Sequence, residues 1–135
     1  MNESALTVAG RLFACIEAGN PAGVDALYAT DVEVWHNFSN SVQSKSENLR
    51  TLEGLISSVA AIEYEVKERV ALDDNRILQR HDLHCTTAGG ERHTIPACIF
   101  ITVKNGRIVR IDEYLDSAQA NVLRAATGRE KISDS

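Results

Sequence analysis

The chain has 135 residues, 44% of them hydrophobic and 24% charged, with a formal net charge of −5, a composition typical of one globular domain over residues 1–135. The acidic balance argues against a nucleic-acid binder, whose surface carries a basic patch, and the absence of an 18-residue apolar run argues against a membrane span. Three cysteines without CxxC spacing, and an N-terminus without a basic start and apolar segment, predict a reduced, cytoplasmic protein.

Apolar periodicity, helix caps and turn residues divide the chain into helices and strands. Asn20-Pro21 is an N-cap followed by the proline typical of a first helical turn, and Ser44 and Glu47 have capping-box spacing. Gly89-Gly90 and Asn105-Gly106 mark hairpins in the second half. In chain order we predict helices over 4–18 and 21–28, a strand over 32–36, a helix from 45 to 59, strands near 62–72, 76–86, 92–103 and 107–116, and a final helix over 117–127.

The order α-α-β-α-β-β-β-β, followed by the final helix, predicts an α+β fold. Helices are expected to cover the concave face of a strongly curved antiparallel sheet. A sheet of this kind has the shape of a cone and leaves a pocket under the helices. Residues 5–120 are expected to form the core of the domain, and the tail over 128–135 is expected to fray.

A glutamate interrupts the apolar stripe of the last predicted strand. Every second residue there gives Val109, Ile111, Glu113 and Leu115, and alternate side chains of a strand share one face. A carboxylate on an inward face is unfavourable without a partner or a role. Glu113 is therefore a candidate catalytic residue, and a structural ion pair with an arginine is the alternative.

Hairpin geometry predicts which residues share a face with Glu113. Asn-Gly is the strongest signal for a two-residue hairpin loop, because both positions need a positive φ. With Asn105-Gly106 as that loop, Cys98 lies opposite Glu113 and Phe100 lies opposite Ile111.

The same reasoning extends to the preceding strand, where the length of the loop decides which side chains face inward. With Gly89-Gly90 as a second two-residue loop, His81 lies opposite Cys98 and joins the pocket. A longer loop or one β-bulge would turn Arg80 and Asp82 inward instead. Both arrangements stay open at this point.

Two segments, AGNPAGVDALYATDVEVWHN (18–37) and PACIFITVKNGRIVRIDEYLD (96–116), resemble the SnoaL-like branch of the nuclear-transport-factor-2-like superfamily. The similarity extends over roughly residues 5–120. It implies the cone-shaped fold, a small-molecule pocket and a homodimer. It implies no single reaction, because the fold hosts isomerases, dehydratases, cyclases, epoxide hydrolases and non-enzymatic binders.

Limonene-epoxide-hydrolase-like members of this superfamily use an Arg-x-Asp motif and a second carboxylate 31 residues later, a spacing that Arg80, Asp82 and Glu113 match. The resemblance implies that Glu113 is the base that activates water and Asp82 the acid that protonates the epoxide oxygen. Arg80 would hold the two carboxyl groups. His36 falls where that family has an asparagine that helps to hold the water.

Steroid-isomerase-like members provide a second comparison. Their base position falls on His36, and their two oxyanion donors fall on Leu12 and Cys98. Neither leucine nor cysteine supplies the strong donor that an enolate needs, so that mechanism is not predicted. His36 and Glu113 remain as a proton-transfer pair for a different reaction.

The leading prediction is a cofactor-independent acid–base enzyme that acts on a small, mostly apolar metabolite, most concretely by epoxide hydrolysis. The alternatives are a SnoaL-like cyclase, dehydratase or isomerase that uses His36 and Glu113, and a non-catalytic ligand-binding dimer. No metal site is predicted, and the dimer is expected to form through the convex face of the sheet. The predicted catalytic residues are Glu113, His36, Asp82 and Arg80, and the predicted pocket lining is Trp35, Asn37, His81, Cys98, Phe100, Ile111, Leu12 and Phe13.

Overall fold

A computed structural model describes residues 4–129, which form four helices and one six-stranded sheet. The helices are α1 (Ala5–Glu17), α2 (Pro21–Leu27), α3 (Lys45–Ser58) and α4 (Ser117–Ala126), and the strands are β1 (Tyr28–His36), β2 (Ser41–Gln43), β3 (Ala61–Ala71), β4 (Arg76–Thr86), β5 (Arg92–Lys104) and β6 (Arg107–Leu115). The α+β class and the order of the predicted elements are confirmed, and β2 is a short addition where no element was predicted. Residues 130–135 of the tail predicted to fray lie outside the described residues.

Helices α2 and α3 begin at the predicted capping residues, and α1 begins after Ser4, which was not predicted as a cap. Ser4 and Asn20 each accept a hydrogen bond from a backbone N–H in the first turn of α1 and α2, and Pro21 is the first residue of α2. Ser44 and Glu47 form a complete capping box at the start of α3. A cap of this kind stabilises a helix by about 1 kcal/mol, because it satisfies a backbone donor that the helix leaves free.

The strands lie in the order β2-β1-β6-β5-β4-β3. All neighbouring pairs are antiparallel except β1 and β6, which run parallel, so the sheet is mixed where an antiparallel sheet was expected. The parallel pair brings together the C-terminal ends of two strands that are far apart in sequence. His36 thereby lies next to Glu113.

One face of the sheet, here called the covered face, packs against helices α1, α3 and α4. Its main core cluster includes Leu12 and Phe13 of α1 together with Ile77, Ile101 and Ile111 of the sheet. Burying one such large side chain contributes about 1.5–3 kcal/mol. None of the helices within residues 4–129 is long and apolar enough to cross a membrane.

The β5–β6 hairpin differs by one residue from the predicted pairing. Asn105-Gly106 forms the expected loop with φ of 54° and 76°, and the adjacent residues pair as predicted. Val109 then has no partner across the ladder, and this bulge shifts the rest of β6 so that Glu113 pairs with Ile99 instead of Cys98. The predicted pairing of Cys98 with Glu113 is therefore wrong, because a bulge adds one residue to one strand only.

The pairing of β4 with β5 is also shifted by one residue from the predicted register, in the direction opposite to the shift between β5 and β6. Five residues, 87–91, lie between the paired ends of the strands where two were predicted, and His81 pairs with Ala97 instead of Cys98. The two shifts cancel in their effect on β4, so His81 lies on the covered face with Glu113. They do not cancel for β5, so Cys98 lies on the opposite face, here called the open face.

Candidate functional site

A cavity of about 200 Å³ lies between the covered face and the helices. Its walls are mostly apolar and include Leu12, Phe13, Ile99 and Ile111, three of which were predicted to line a pocket. A concave apolar site with a few polar groups is typical of small-molecule binding.

His36 and Glu113 form the titratable pair of this cavity. The Nε2 atom of His36 lies 3.1 Å from the Oε1 atom of Glu113, and both side chains line the cavity. The side chain of Glu113 is 21% exposed and that of His36 is 12% exposed, so the carboxylate is the more accessible of the two. The ring of Phe38 stacks on the imidazole at 5.1 Å between centroids.

The pKa of Glu113 reflects two opposing influences. Burial raises this pKa, but the hydrogen bond and the positive charge of His36 lower it, and the net result lies below the usual value of a glutamate. Glu113 is therefore ionised near neutral pH. Since an ionised carboxylate can only accept, the Nε2 atom of His36 carries the hydrogen of this contact.

Asn37 holds the ends of β1 and β6 together beside this pair. Its side-chain amide donates to the carbonyl oxygen of Leu115 at 3.3 Å and accepts from the N–H of Leu115 at 3.0 Å. The N–H of Asn37 also donates to the carbonyl oxygen of Glu113 at 3.1 Å. Asn37 was predicted to line the pocket, but its side chain is exposed and outside the cavity wall. It positions the backbone that carries His36 and Glu113.

Two tyrosines contribute phenol groups to the cavity wall. Burial, and to a smaller degree the charge of Glu113, raise the pKa of both Tyr28 and Tyr64. Both phenols therefore stay protonated at neutral pH. Tyr28 donates to Oδ1 of Asn48 at 2.7 Å, and the ring of Tyr64 packs edge-on against Phe13 at 4.8 Å.

His81 was predicted to line the pocket. It lies on the covered face but is not part of the cavity wall. It is 1% exposed and packs edge-on against the rings of Phe13 and Tyr64. Arg69 donates to Oε1 of Gln79, and the amide nitrogen of Gln79 lies 2.9 Å from Nδ1 of His81. This orientation makes Nδ1 an acceptor. Burial lowers the pKa of His81, so the imidazole is neutral.

Arg80 and Asp82 lie on the open face, away from Glu113, because the two register shifts leave the odd-numbered residues of β4 inward. Arg80 pairs with the exposed Glu68 at 3.0 Å, and a carboxylate oxygen of Asp82 lies 3.7 Å from Nζ of Lys67. The arrangement of Arg80, Asp82 and Glu113 around one substrate, which the epoxide-hydrolase resemblance implied, is not formed.

Three further residues predicted to line the pocket also lie on the open face. Trp35 packs edge-on against Tyr114 at 5.1 Å, and the ring of Phe100 lies under the guanidinium of Arg76 at 5.0 Å. Cys98 pairs with Tyr114, and burial raises the pKa of its thiol. A thiol with a raised pKa is a poor nucleophile at neutral pH.

One group of potential metal ligands occurs among residues 4–129, on the open face. Ligand atoms of Glu65, Asp82 and His84 lie within 4.8 Å of one another. His84 already contacts Thr94 through Nδ1 and Glu65 through Nε2, and Lys67 supplies a positive charge to both carboxylates. These contacts account for the cluster without an ion.

The sequence reasoning missed the polar residues that α3 places in the cavity wall, Asn48 and Thr51. Asn48 lies at helical spacing with Leu52 and Leu55, which also line the cavity. A polar residue within an apolar helical stripe is the same signal that identified Glu113 on its strand. Arg124 and Arg129, near the end of α4, also line the cavity, and no pattern in the sequence distinguished them from exposed arginines.

One comparison with known proteins identifies a family. The sequence profile described as SnoaL-like domain matches residues 9–111 of this chain. No curated protein sequence matches it significantly.

Solved structures with low sequence identity share the fold. PrhC from Penicillium brasilianum has a TM-score of 0.80 at 17% identity, over 92% of this chain and 89% of that chain. An LEH-like epoxide hydrolase from M. tuberculosis has a TM-score of 0.73 at 15% identity, over 92% of this chain and 96% of that chain. A SnoaL-like protein from Shewanella denitrificans, named as a proposed polyketide cyclase, has a TM-score of 0.74 at 9% identity, over 89% of this chain and 96% of that chain.

Proposed function

This chain belongs to the SnoaL-like domain family, and we propose that it is an enzyme that transfers a proton within a small, mostly apolar substrate. The observation that carries the proposal is the contact of 3.1 Å between His36 and Glu113 in the wall of an apolar cavity. An ionised carboxylate in such a place is unfavourable unless it has a partner or a role.

In the proposed reaction, Glu113 is the general base. Its carboxylate removes a proton from a carbon next to a carbonyl group of the substrate, and the electron pair of the broken C–H bond forms an enolate, whose oxygen we assign to the cationic side chains of the cavity wall, Arg124 and Arg129. The proton then returns from Glu113 to another atom of the substrate, which gives an isomerisation, a dehydration or a ring closure. His36 holds the carboxylate in position through Nε2–H, and proton transfer by a positioned group contributes about 10²- to 10⁴-fold in rate.

Epoxide hydrolysis has less support than this reaction. It rested on Arg80 and Asp82 inside the pocket, and both lie on the open face. The structural neighbour named as a proposed polyketide cyclase supports a carbonyl substrate that can cyclise, and the LEH-like neighbour supports a test of epoxides as well.

The test is the exchange of carbon-bound hydrogen with deuterium oxide, followed by proton NMR. The substrates are cyclic ketones of one or two rings, such as 2-indanone and 2-tetralone, with a parallel set of cyclic epoxides scored for diol formation. We expect wild type to catalyse exchange, and Glu113→Gln to lower the rate by at least about 10²-fold because it removes the base but keeps the shape. The matched control is Glu53→Gln, since Glu53 is an exposed glutamate of α3.

Equal exchange rates in wild type and Glu113→Gln would refute Glu113 as the base. Binding of the ketones without any exchange would instead support a ligand-binding protein. Diol formation from epoxides that depends on Glu113 would assign hydrolysis to the same carboxylate.

A further inference from the structure

A chain of hydrogen bonds with a fixed direction runs along the cavity wall formed by β1, β2 and α3. Tyr28 donates to Oδ1 of Asn48 at 2.7 Å, and Nδ2 of Asn48 donates to Oε1 of Gln43 at 2.9 Å. Nε2 of Gln43 donates to the hydroxyl of Thr51 at 3.0 Å, and that hydroxyl donates to the carbonyl oxygen of Glu47 at 3.2 Å. Four side chains take part in this series of hydrogen bonds, and all of them line the cavity: Tyr28, Gln43, Asn48 and Thr51.

The direction of the chain follows from its last contact. A backbone carbonyl can only accept, so the hydrogen of Thr51 is committed to it and the hydroxyl oxygen must accept from Gln43. The amide oxygen of Gln43 then accepts from Asn48. The amide oxygen of Asn48 is left to accept from the phenol of Tyr28.

The phenol oxygen of Tyr28, a residue of the cavity wall, can therefore only accept a further hydrogen bond, because its one hydrogen is used. The phenol does not ionise, since burial and the charge of Glu113 raise its pKa. Tyr28 is 2% exposed and Asn48 is 4% exposed, so the contact between them is shielded from bulk water, whereas Gln43 and Thr51 are half-buried. A buried acceptor without a donor is unfavourable by about 1–3 kcal/mol.

We propose that the substrate carries a hydroxyl group that donates a hydrogen bond to Oη of Tyr28 while its reactive carbon lies at Glu113. The proposal rests on the proposed function in placing the substrate in this cavity, and it adds the chemical class of the substrate. An ether or a carbonyl group at the same place would bring two acceptors together. Such a mismatch lowers affinity because it leaves both groups without a donor.

The experiment compares the affinities of 1-naphthol and 1-methoxynaphthalene by isothermal titration calorimetry. The two probes share the ring system and the acceptor oxygen, and only naphthol has a donor. We expect wild type to bind naphthol roughly three- to tenfold more tightly, the range for one neutral hydrogen bond. Tyr28→Phe is expected to lose this preference. The control variant Tyr64→Phe removes another phenol from the same cavity and is expected to retain it.

Thr51→Val provides a second variant in case Tyr28→Phe does not give a folded protein, as judged by its thermal unfolding. It keeps the shape of Thr51 but removes the group that fixes the direction of the chain, so the preference for naphthol is expected to shrink. The proposal is overturned if wild type binds naphthol no better than the ether, which includes binding neither. It is equally overturned if the preference is unchanged in the folded variants of Tyr28 and Thr51.

Binding requires no turnover, so the two proposals fail separately. A preference for naphthol that depends on Tyr28, without proton exchange on any ketone, would refute the proposed proton transfer and support the hydroxyl subsite. Proton exchange that depends on Glu113, without a preference for naphthol, would refute the subsite alone.

Discussion

Glu113 stays ionised inside an apolar cavity because His36 lies beside it. Burial alone raises the pKa of this carboxyl group, and the hydrogen bond and charge of the imidazole lower it below the usual value of about 4.5. A carboxyl group whose pKa is lower in the folded than in the unfolded state stabilises the fold at pH values above its unfolded pKa. That contribution is lost as the pH falls through the lower, folded value.

We therefore expect the free energy of unfolding of wild type to fall, relative to Glu113→Gln, as the pH is lowered from about 5.5 to about 3. Glutamine cannot titrate, so the variant lacks this part of the pH dependence. The measurement is urea unfolding at several pH values, followed by the fluorescence of Trp35, the single tryptophan of the chain. Glu53→Gln is again the matched control and is expected to follow wild type. Parallel pH curves for wild type and Glu113→Gln would contradict the assigned ionisation.

At the scale of the elements, short-range signals in the sequence predicted most of the fold. The capping box of Ser44 and Glu47 and the hairpin loop at Asn105-Gly106 depend only on neighbouring residues, and both occur as predicted. The bulge at Val109 depends instead on how β6 packs against β5 and the helices. The adjacent residues Ile108 and Val109 are both apolar, so alternation alone did not show which of them is inserted.

The candidate site, like the fold, was predicted only where short-range signals determine it. Glu113 was found because alternation along one strand places it inward. The contact with His36 depends on the parallel pairing of β1 with β6, which was not predicted; the family resemblance indicated only that His36 and Glu113 act as a pair. The contact of Tyr28 with Asn48 joins residues 20 positions apart on different elements, and hydrogen bonds between side chains have no signature in the spacing of a sequence.

Two glycines of the hairpin loops, Gly106 and Gly89, are expected to respond differently to alanine. Gly106 has a φ of 76°, which strains a residue with a Cβ atom, whereas Gly89 does not have a positive φ and a Cβ there would meet only ordinary contacts. We expect Gly106→Ala to lower the free energy of unfolding by about 1 kcal/mol. Gly89→Ala is expected to change it by less than about 0.5 kcal/mol. Urea unfolding tests both variants, and equal effects would contradict the difference in backbone conformation between the two positions.

At the scale of the whole molecule, the interior is divided between a packed core and an open cavity. Ile99 and Ile101 are alternate residues of β5 and point toward the same side of the sheet. Both belong to the main core cluster, with Ile101 fully buried and Ile99 4% exposed, but only Ile99 also borders the cavity. Protein interiors are normally close-packed, and the proposed function assigns the open space beside Ile99 to a ligand.

Replacement of these two isoleucines by phenylalanine separates packing from ligand space. At Ile101 the larger ring has no room, so Ile101→Phe is expected to lower the free energy of unfolding by about 1–3 kcal/mol. At Ile99 the ring can extend into the cavity, so Ile99→Phe is expected to change the free energy of unfolding by less than about 1 kcal/mol. It should at the same time weaken the binding of 1-naphthol by roughly tenfold or more, because the ring occupies the space of the ligand.

The measurements are urea unfolding for stability and calorimetric titration for binding, on the same protein preparations. A large loss of stability in Ile99→Phe, equal to that of Ile101→Phe, would mean that the space beside Ile99 is not open. Unchanged naphthol affinity in a stable Ile99→Phe would mean that the ligand binds elsewhere. Stability retained together with binding lost would locate the ligand between Ile99 and the helices, on the face that carries His36 and Glu113.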